Sequence, residues 1–174
     1  SALGMMVTNL TIGKKKYIDV EAEMEDIRSR LEALQQELVG LTDRDAEAFE
    51  PLSRAYGLPK ETEEQRIEKE RVMEKALYEA SVVPLQIMKT VFRVMEDLEV
   101  LGEKGSRLAV SDVGVAVLFA RAALEGASLN IYINTRLMKN REQAERLNKE
   151  SDELIAEAGR LQEKIYTGVL AKIR

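Results

Sequence analysis

Apolar residues recur every three or four positions through most of this chain, which confines it to long helices packed along seams. From Tyr17 the series runs through Val20, Met24, Ile27, Leu31, Leu34, Leu38 and Leu41, then Asp45, Ala48, Leu52 and Ala55. Alternating steps of three and four make a seven-residue repeat with one apolar stripe. Asp45 stands on that stripe where the pattern asks for Leu, one turn before Phe49. A carboxylate there is costly unless it is solvated, bonded or put to use. Two readings follow: a polar residue that fixes helix register, or a proton-transfer group. Apolar surroundings, with Asp43 and Glu47 close by in sequence, would raise its pKa.

The rest of the chain follows the same logic. Ser1 to Ile12 is small and apolar and reads as the tail of a buried helix, ended by Gly13 and the basic run Lys14, Lys15 and Lys16. The repeat predicts one helix over Tyr17 to Ala55, with a kink near residues 47–51 because Pro51 lacks an amide hydrogen. Gly57-Leu58-Pro59-Lys60 is a turn, and Thr62 is placed to cap the next helix. A second repeat over Gln65 to Leu101 runs Met73, Leu77, Ala80, Pro84, Ile87, Val91, Val94, Leu98 and Leu101, with a kink or break expected near Ser81. Ser111 is the expected cap of a helix that begins at Asp112 and is apolar nearly all round, hence central and buried. A last helix spans about Arg141 to Lys172. No strand pattern competes. The expected fold is therefore all-α over a single domain, residues 1–174, with a multihelical core and a long antiparallel α-hairpin used for dimerisation.

Composition removes several kinds of chemistry. With no cysteine, the chain has no disulfide, thiolate ligand or cysteine nucleophile. Histidine is absent too, so acid–base work falls to Asp, Glu, Lys, Tyr or a substrate group, and no metal site is expected. A net charge of −5 gives no support for nucleic acid as partner. Nor does any charge-free apolar run reach bilayer length, and no signal peptide is visible, so a cytoplasmic protein without membrane association is expected.

Other candidate residues each carry two readings. Asp112 caps a helix dipole or takes part in catalysis. Asn130 and Asn134, four apart, make interhelical hydrogen bonds or recognise the amide edge of a heteroaromatic ring. Lys14, Lys15 and Lys16 are a solvated helix end or a small anion site for carboxylates. Asn9, with Thr8 and Thr11, lines a pocket or caps. No phosphate loop or nucleophile elbow occurs.

Several segments together resemble the cyclodeaminase family, which includes formiminotetrahydrofolate cyclodeaminase and methenyltetrahydrofolate cyclohydrolase. They are NLTIGKKKY at Asn9 to Tyr17, DRDAEAF at Asp43 to Phe49, LPKETEE at Leu58 to Glu64, VPL at Val83 to Leu85, AVSDVGVA at Ala109 to Ala116 and LNIYIN at Leu129 to Asn134. Their order and spacing carry the resemblance. Family members usually open with a Pro-Gly-Gly-Gly-Ser-type loop, and this sequence starts after it. The resemblance implies an all-helical dimer acting on a tetrahydrofolate substrate, with or without a polyglutamate tail, and no separate cofactor. It also implies that Asp45 is the catalytic aspartate, with Asn9, Lys14, Lys15, Lys16, Asp112, Asn130 and Asn134 as substrate-binding candidates. The expected reaction is ring closure of 5-formiminotetrahydrofolate to 5,10-methenyltetrahydrofolate with release of ammonia, a lyase step of histidine degradation. Hydrolysis of methenyltetrahydrofolate to 10-formyltetrahydrofolate is the alternative, and a non-catalytic helical dimerisation module is the second.

Overall fold

Both seven-residue repeats form unbroken helices. A computed structural model describes residues 1–174 and contains α1 (Ala2–Thr11), α2 (Glu21–Tyr56), α3 (Glu63–Lys104), α4 (Val110–Thr135) and α5 (Arg141–Ile173). Short 3-10 turns at Lys15–Val20 and Arg107–Ala109 complete the all-α fold. No helix is long and apolar enough to cross a membrane.

Helix ends show where local signals prevailed and where tertiary contacts did. Thr62 accepts from the Gln65 amide while the Gln65 side chain accepts from the Thr62 amide, a complete capping box. By contrast, α2 starts at Glu21, not Tyr17. Tyr17 is non-helical, and its hydroxyl accepts from the Arg107 amide at 3.0 Å, so a long-range bond holds the residue off the helix. Ser111 is not the cap of α4 either: the helix starts two residues earlier, at Val110 with Ala109 in the cap position, and Ser111 is exposed in its first turn.

α3 is the central element. Its stripe of Leu77, Ala80, Val91, Val94, Leu98 and Leu101 is buried and packs against α1, α2 and α4, while α5 lies against α3 and α4. Cross-links set the register of the antiparallel α2–α3 hairpin. Lys104 donates to Glu23 at 2.7 Å, Arg30 to Asp97 at 2.6 Å, and Thr90 to Glu37 at 2.8 Å. The pairs step by seven on both helices, and one further step sets Arg44 opposite Val83. α1 lies between α2 and α4, and Gly4 permits its close approach: a Cβ there would stand 2.8 Å from Leu31 Cδ1. Gly13, at φ +74°, then turns the chain out of α1.

Neither proline ends its helix: Pro51 lies inside α2 and Pro84 inside α3. Pro84 has no amide hydrogen to give to the carbonyl of Ala80, four residues earlier. Asn134 of α4 supplies the missing donor, its Nδ2 lying 3.2 Å from the Ala80 oxygen. A buried asparagine thus repairs the bond that a buried proline removes.

α4 departs from expectation. One face is buried, but the opposite face is open: Val115 is 43% exposed, Phe119 69%, Leu129 67% and Ile133 64%. The helix looked central because it is apolar on two faces, and the subunit covers one. The hairpin's own stripes pack largely within the subunit.

Asn134→Ala should cost about 1–3 kcal/mol, the usual penalty of an orphaned buried acceptor. In a Pro84→Ala background, where residue 84 regains its amide hydrogen, the same change should cost under half as much. Urea unfolding of the four proteins reads the coupling, and additive costs would show that Asn134 does not serve the Ala80 carbonyl.

Candidate active site

α2 and α4 pack mainly on α3 rather than on one another. A trough therefore runs above α3, and α1 fills only part of it. At the α1 end a cavity of about 270 Å³ is lined by Leu38, Val91, Val94, Phe119, Ala120 and Ala123. Leu38 lines this cavity, and the seven-residue repeat sets Asp45 one heptad further along the same face of α2. At the far end Met73 and Leu77 of α3 meet Leu137 in a second cavity of about 270 Å³. Helix rise makes the stretch from Val91 to Met73 about 27 Å long.

Asp45 is half-buried on that face of α2. Burial alone raises the pKa of its carboxyl. No ion pair or side-chain hydrogen bond holds it. Asp43 and Glu47 do not contribute as expected, because both point from other faces of α2 and are exposed. An unpaired carboxylate in this setting can take up a proton and return it. Phe49, 56% exposed one turn further on, offers a flat apolar surface beside it.

The other sequence-derived residues divide into two groups. Asn130 is exposed on α4, one turn before Asn134, which is held by the Ala80 carbonyl. These two and Asp45 share one half of the subunit. Asn9, Lys14, Lys15 and Lys16 are exposed, and Asp112 is half-buried in the first turn of α4, all around the other end of α1. The amide of Gly13 donates to the Glu21 carboxylate at 3.1 Å, so the three lysines stand beside the first turn of α2. Helix rise then sets them about 36 Å from Asp45 within one subunit. Asp112 and the lysines therefore do not reach the trough's open half in their own chain.

One feature was missed in the sequence. Lys60, Arg66, Lys69 and Lys139 ring the far cavity, with Glu70 and Glu74. Lys139 pairs with Glu70 at 2.5 Å, and Arg66 pairs with Glu63. Glu74 accepts from the Lys139 and Asn140 amides. The Lys69 ammonium donates to the carbonyls of Tyr56 and Leu58, both at 2.8 Å, and keeps its charge unneutralised. Lys60 is exposed and unpaired. The cations among them alternate with acids between residues 60 and 74, and Lys139 comes from a distant segment, so no basic run marked the place. No group of three or more Asp and Glu side chains converges as a metal site would require.

A sequence profile of the formiminotransferase-cyclodeaminase family matches residues 1–153. The chain belongs to this family. It is 43% identical to a methenyltetrahydrofolate cyclohydrolase of Methylorubrum extorquens over 173 residues, covering 99% of this chain and 83% of that protein. The mouse formimidoyltransferase-cyclodeaminase is 29% identical over 158 residues, and the match spans 91% of this chain but 29% of that longer protein. Among solved structures, the formiminotetrahydrofolate cyclodeaminase of Thermotoga maritima superposes with a TM-score of 0.77 at 31% identity, over 98% of this chain and 79% of that one. Family membership accounts for the all-helical architecture and for the ordered motifs in the sequence.

The raised pKa of Asp45 has a consequence for stability. The folded state holds this proton more tightly than the unfolded state, so protonation favours folding. That contribution is complete below the unfolded pKa and is lost as pH rises through the folded pKa. Above it, the charged carboxylate weighs against the fold. Asp45→Asn should therefore leave the urea midpoint at about pH 8 equal or higher, with the advantage shrinking toward about pH 4. A lower midpoint at the higher pH would mean that the carboxylate is structural.

Proposed function

We propose that this chain acts on the one-carbon bridge between N5 and N10 of a tetrahydrofolate, with Asp45 as the proton-transfer group and the trough as the binding site. The observation that carries the reading is an unpaired, half-buried carboxylate one heptad beyond the cavity-lining Leu38, in a chain of this family. Hydrolysis of methenyltetrahydrofolate is the favoured reaction, because the 43% identical relative spanning almost the whole chain is a cyclohydrolase. Asp45 takes a proton from the water that attacks the methenyl carbon. It returns that proton to N5 as the carbon–N5 bond breaks, and loss of the hydroxyl proton leaves 10-formyltetrahydrofolate. As an anion, Asp45 also stabilises the cationic bridge of the substrate.

Cyclodeamination is the second reading, supported by the likeness to the Thermotoga maritima cyclodeaminase. There N10 attacks the formimino carbon, Asp45 takes the N10 proton, and the departing nitrogen leaves as ammonia with a proton returned. Both reactions use one carboxylate first as base and then as acid.

The remaining roles follow from position. Phe49 covers a ring face, and Asn130 faces a heteroaromatic edge. The cationic far end of the trough suits the glutamyl carboxylates, and no cofactor beyond the folate enters. The unit is a homodimer.

Two measurements test this. Asp45→Asn, shown to be folded, should lower kcat for methenyl hydrolysis or ammonia release by at least about a hundredfold. Assaying both reactions on the wild type decides between them, and wild-type turnover in the variant would end the role of Asp45. Lys60→Glu should raise KM by about tenfold for a triglutamyl substrate with little change in kcat; an unchanged KM removes Lys60 from the binding site.

A further inference from the structure

The α2–α3 hairpin has a second concave side. Glu37, Gly40 and Arg44 of α2 and Gln86, Lys89 and Arg93 of α3 line a cleft of about 650 Å³, more than twice the volume of either cavity described above. At about 100° per residue, Glu37 and Arg44 stand roughly a third of a turn around α2 from Leu38 and Asp45. The cleft is therefore separate from the cavity that Leu38 lines. Its walls differ as well. Leu41 is the one apolar residue of the lining, whereas the cavity beside Leu38 is apolar almost throughout.

The charges leave one cation free. Glu37 accepts from Arg93 at 3.2 Å and from the Thr90 hydroxyl at 2.8 Å, and Lys89 pairs with Glu150 of α5 at 2.5 Å. Arg44 is exposed and its guanidinium has no partner. The Lys89–Glu150 pair is solvated on both sides, so a stronger anion can draw the ammonium away at little cost. The hairpin register sets Arg44 opposite Val83, which places Arg44 and Lys89 about 9 Å apart along the helices. Two long side chains can close that gap on one anion.

Two further features have no explanation in the fold. Gly40 lies inside α2, where glycine weakens a helix, yet a Cβ there would meet no atom within 4 Å. Packing does not need the glycine; its effect is to leave the backbone bare on the cleft. Gln86 presents the second. Its Oε1 is buried and accepts from nothing, an arrangement that folded proteins rarely keep. A hydroxyl on a bound molecule would supply the donor.

A guanidinium and an ammonium from two helices suit a tetrahedral dianion, whose oxygens accept from several directions. A pteridine ring calls for apolar walls, which this cleft lacks. We propose that the cleft is a second binding site, for a phosphate monoester that carries hydroxyl groups. Arg44 and Lys89 hold the phosphate, a hydroxyl donates to Gln86, and the bare backbone at Gly40 admits the ligand between the helices. The site stands apart from Asp45 and does not depend on the folate reading.

Calorimetry on the full chain at low ionic strength tests it, with ribose 5-phosphate, inorganic phosphate and ribose as probes. Ribose 5-phosphate should bind with a Kd below about 1 mM, inorganic phosphate more weakly, and ribose not at all. Arg44→Ala should weaken ribose 5-phosphate by at least about tenfold. Gly40→Leu fills the cleft without meeting a neighbour, so it should abolish binding while the urea midpoint stays equal or rises. Gln86→Met should weaken ribose 5-phosphate and leave inorganic phosphate unchanged. No binding of either phosphate overturns the site. So does binding that survives both Arg44→Ala and Gly40→Leu, or binding that Lys60→Glu abolishes, since the ligand would then occupy the far cavity.

Discussion

Everything in this subunit depends on α3 serving as common ground for the other helices, above all for α2 and α4, which pack mainly on it. Its long apolar stripe binds α1, α2 and α4 together, and α2 and α4 stand apart on either side of it. Two convex helices on a third leave a trough between them. α1 enters closely enough to seal half of that trough because Gly4 presents no side chain to Leu31. At the far end of α3 a second cavity stays open.

The polar residues along the trough illustrate three ways of tolerating polarity near a core. Asn134 is consumed by the backbone, since it donates to a carbonyl that Pro84 cannot reach. Asp45 is unpaired, and burial holds its proton more firmly than water would. Asn130 and the ammonium of Lys60 face solvent and keep their bonding capacity for something else.

Much of this was legible in the chain. The three-and-four spacing foretold the long helices and the place of Asp45 on a half-buried stripe, because burial of a helix face follows from its period alone. Thr62 and Gln65 announced their cap, because a capping box involves only neighbours. Tyr17 did not extend α2, because the Arg107 amide ninety residues away binds its hydroxyl. Pro51 and Pro84 did not end their helices; at Pro84, a side chain from another helix replaces the lost bond. The Lys60 and Lys69 mouth was invisible, being assembled from a turn, a helix start and a distant loop.

By itself, the sequence determined the secondary structure, the identity of the one carboxylate that breaks an apolar stripe, and the likeness to a folate-enzyme family. These are properties of period, local chemistry and ordered motifs, and all can be read along one strand of text. The tertiary structure decided which face of α4 meets the core and which faces out. It also decided that Asp43 and Glu47 leave Asp45 untouched, and that the lysines stand far from Asp45 in their own chain. Such facts depend on which helices share a neighbour and at what register, and periodicity carries no information about register between distant segments.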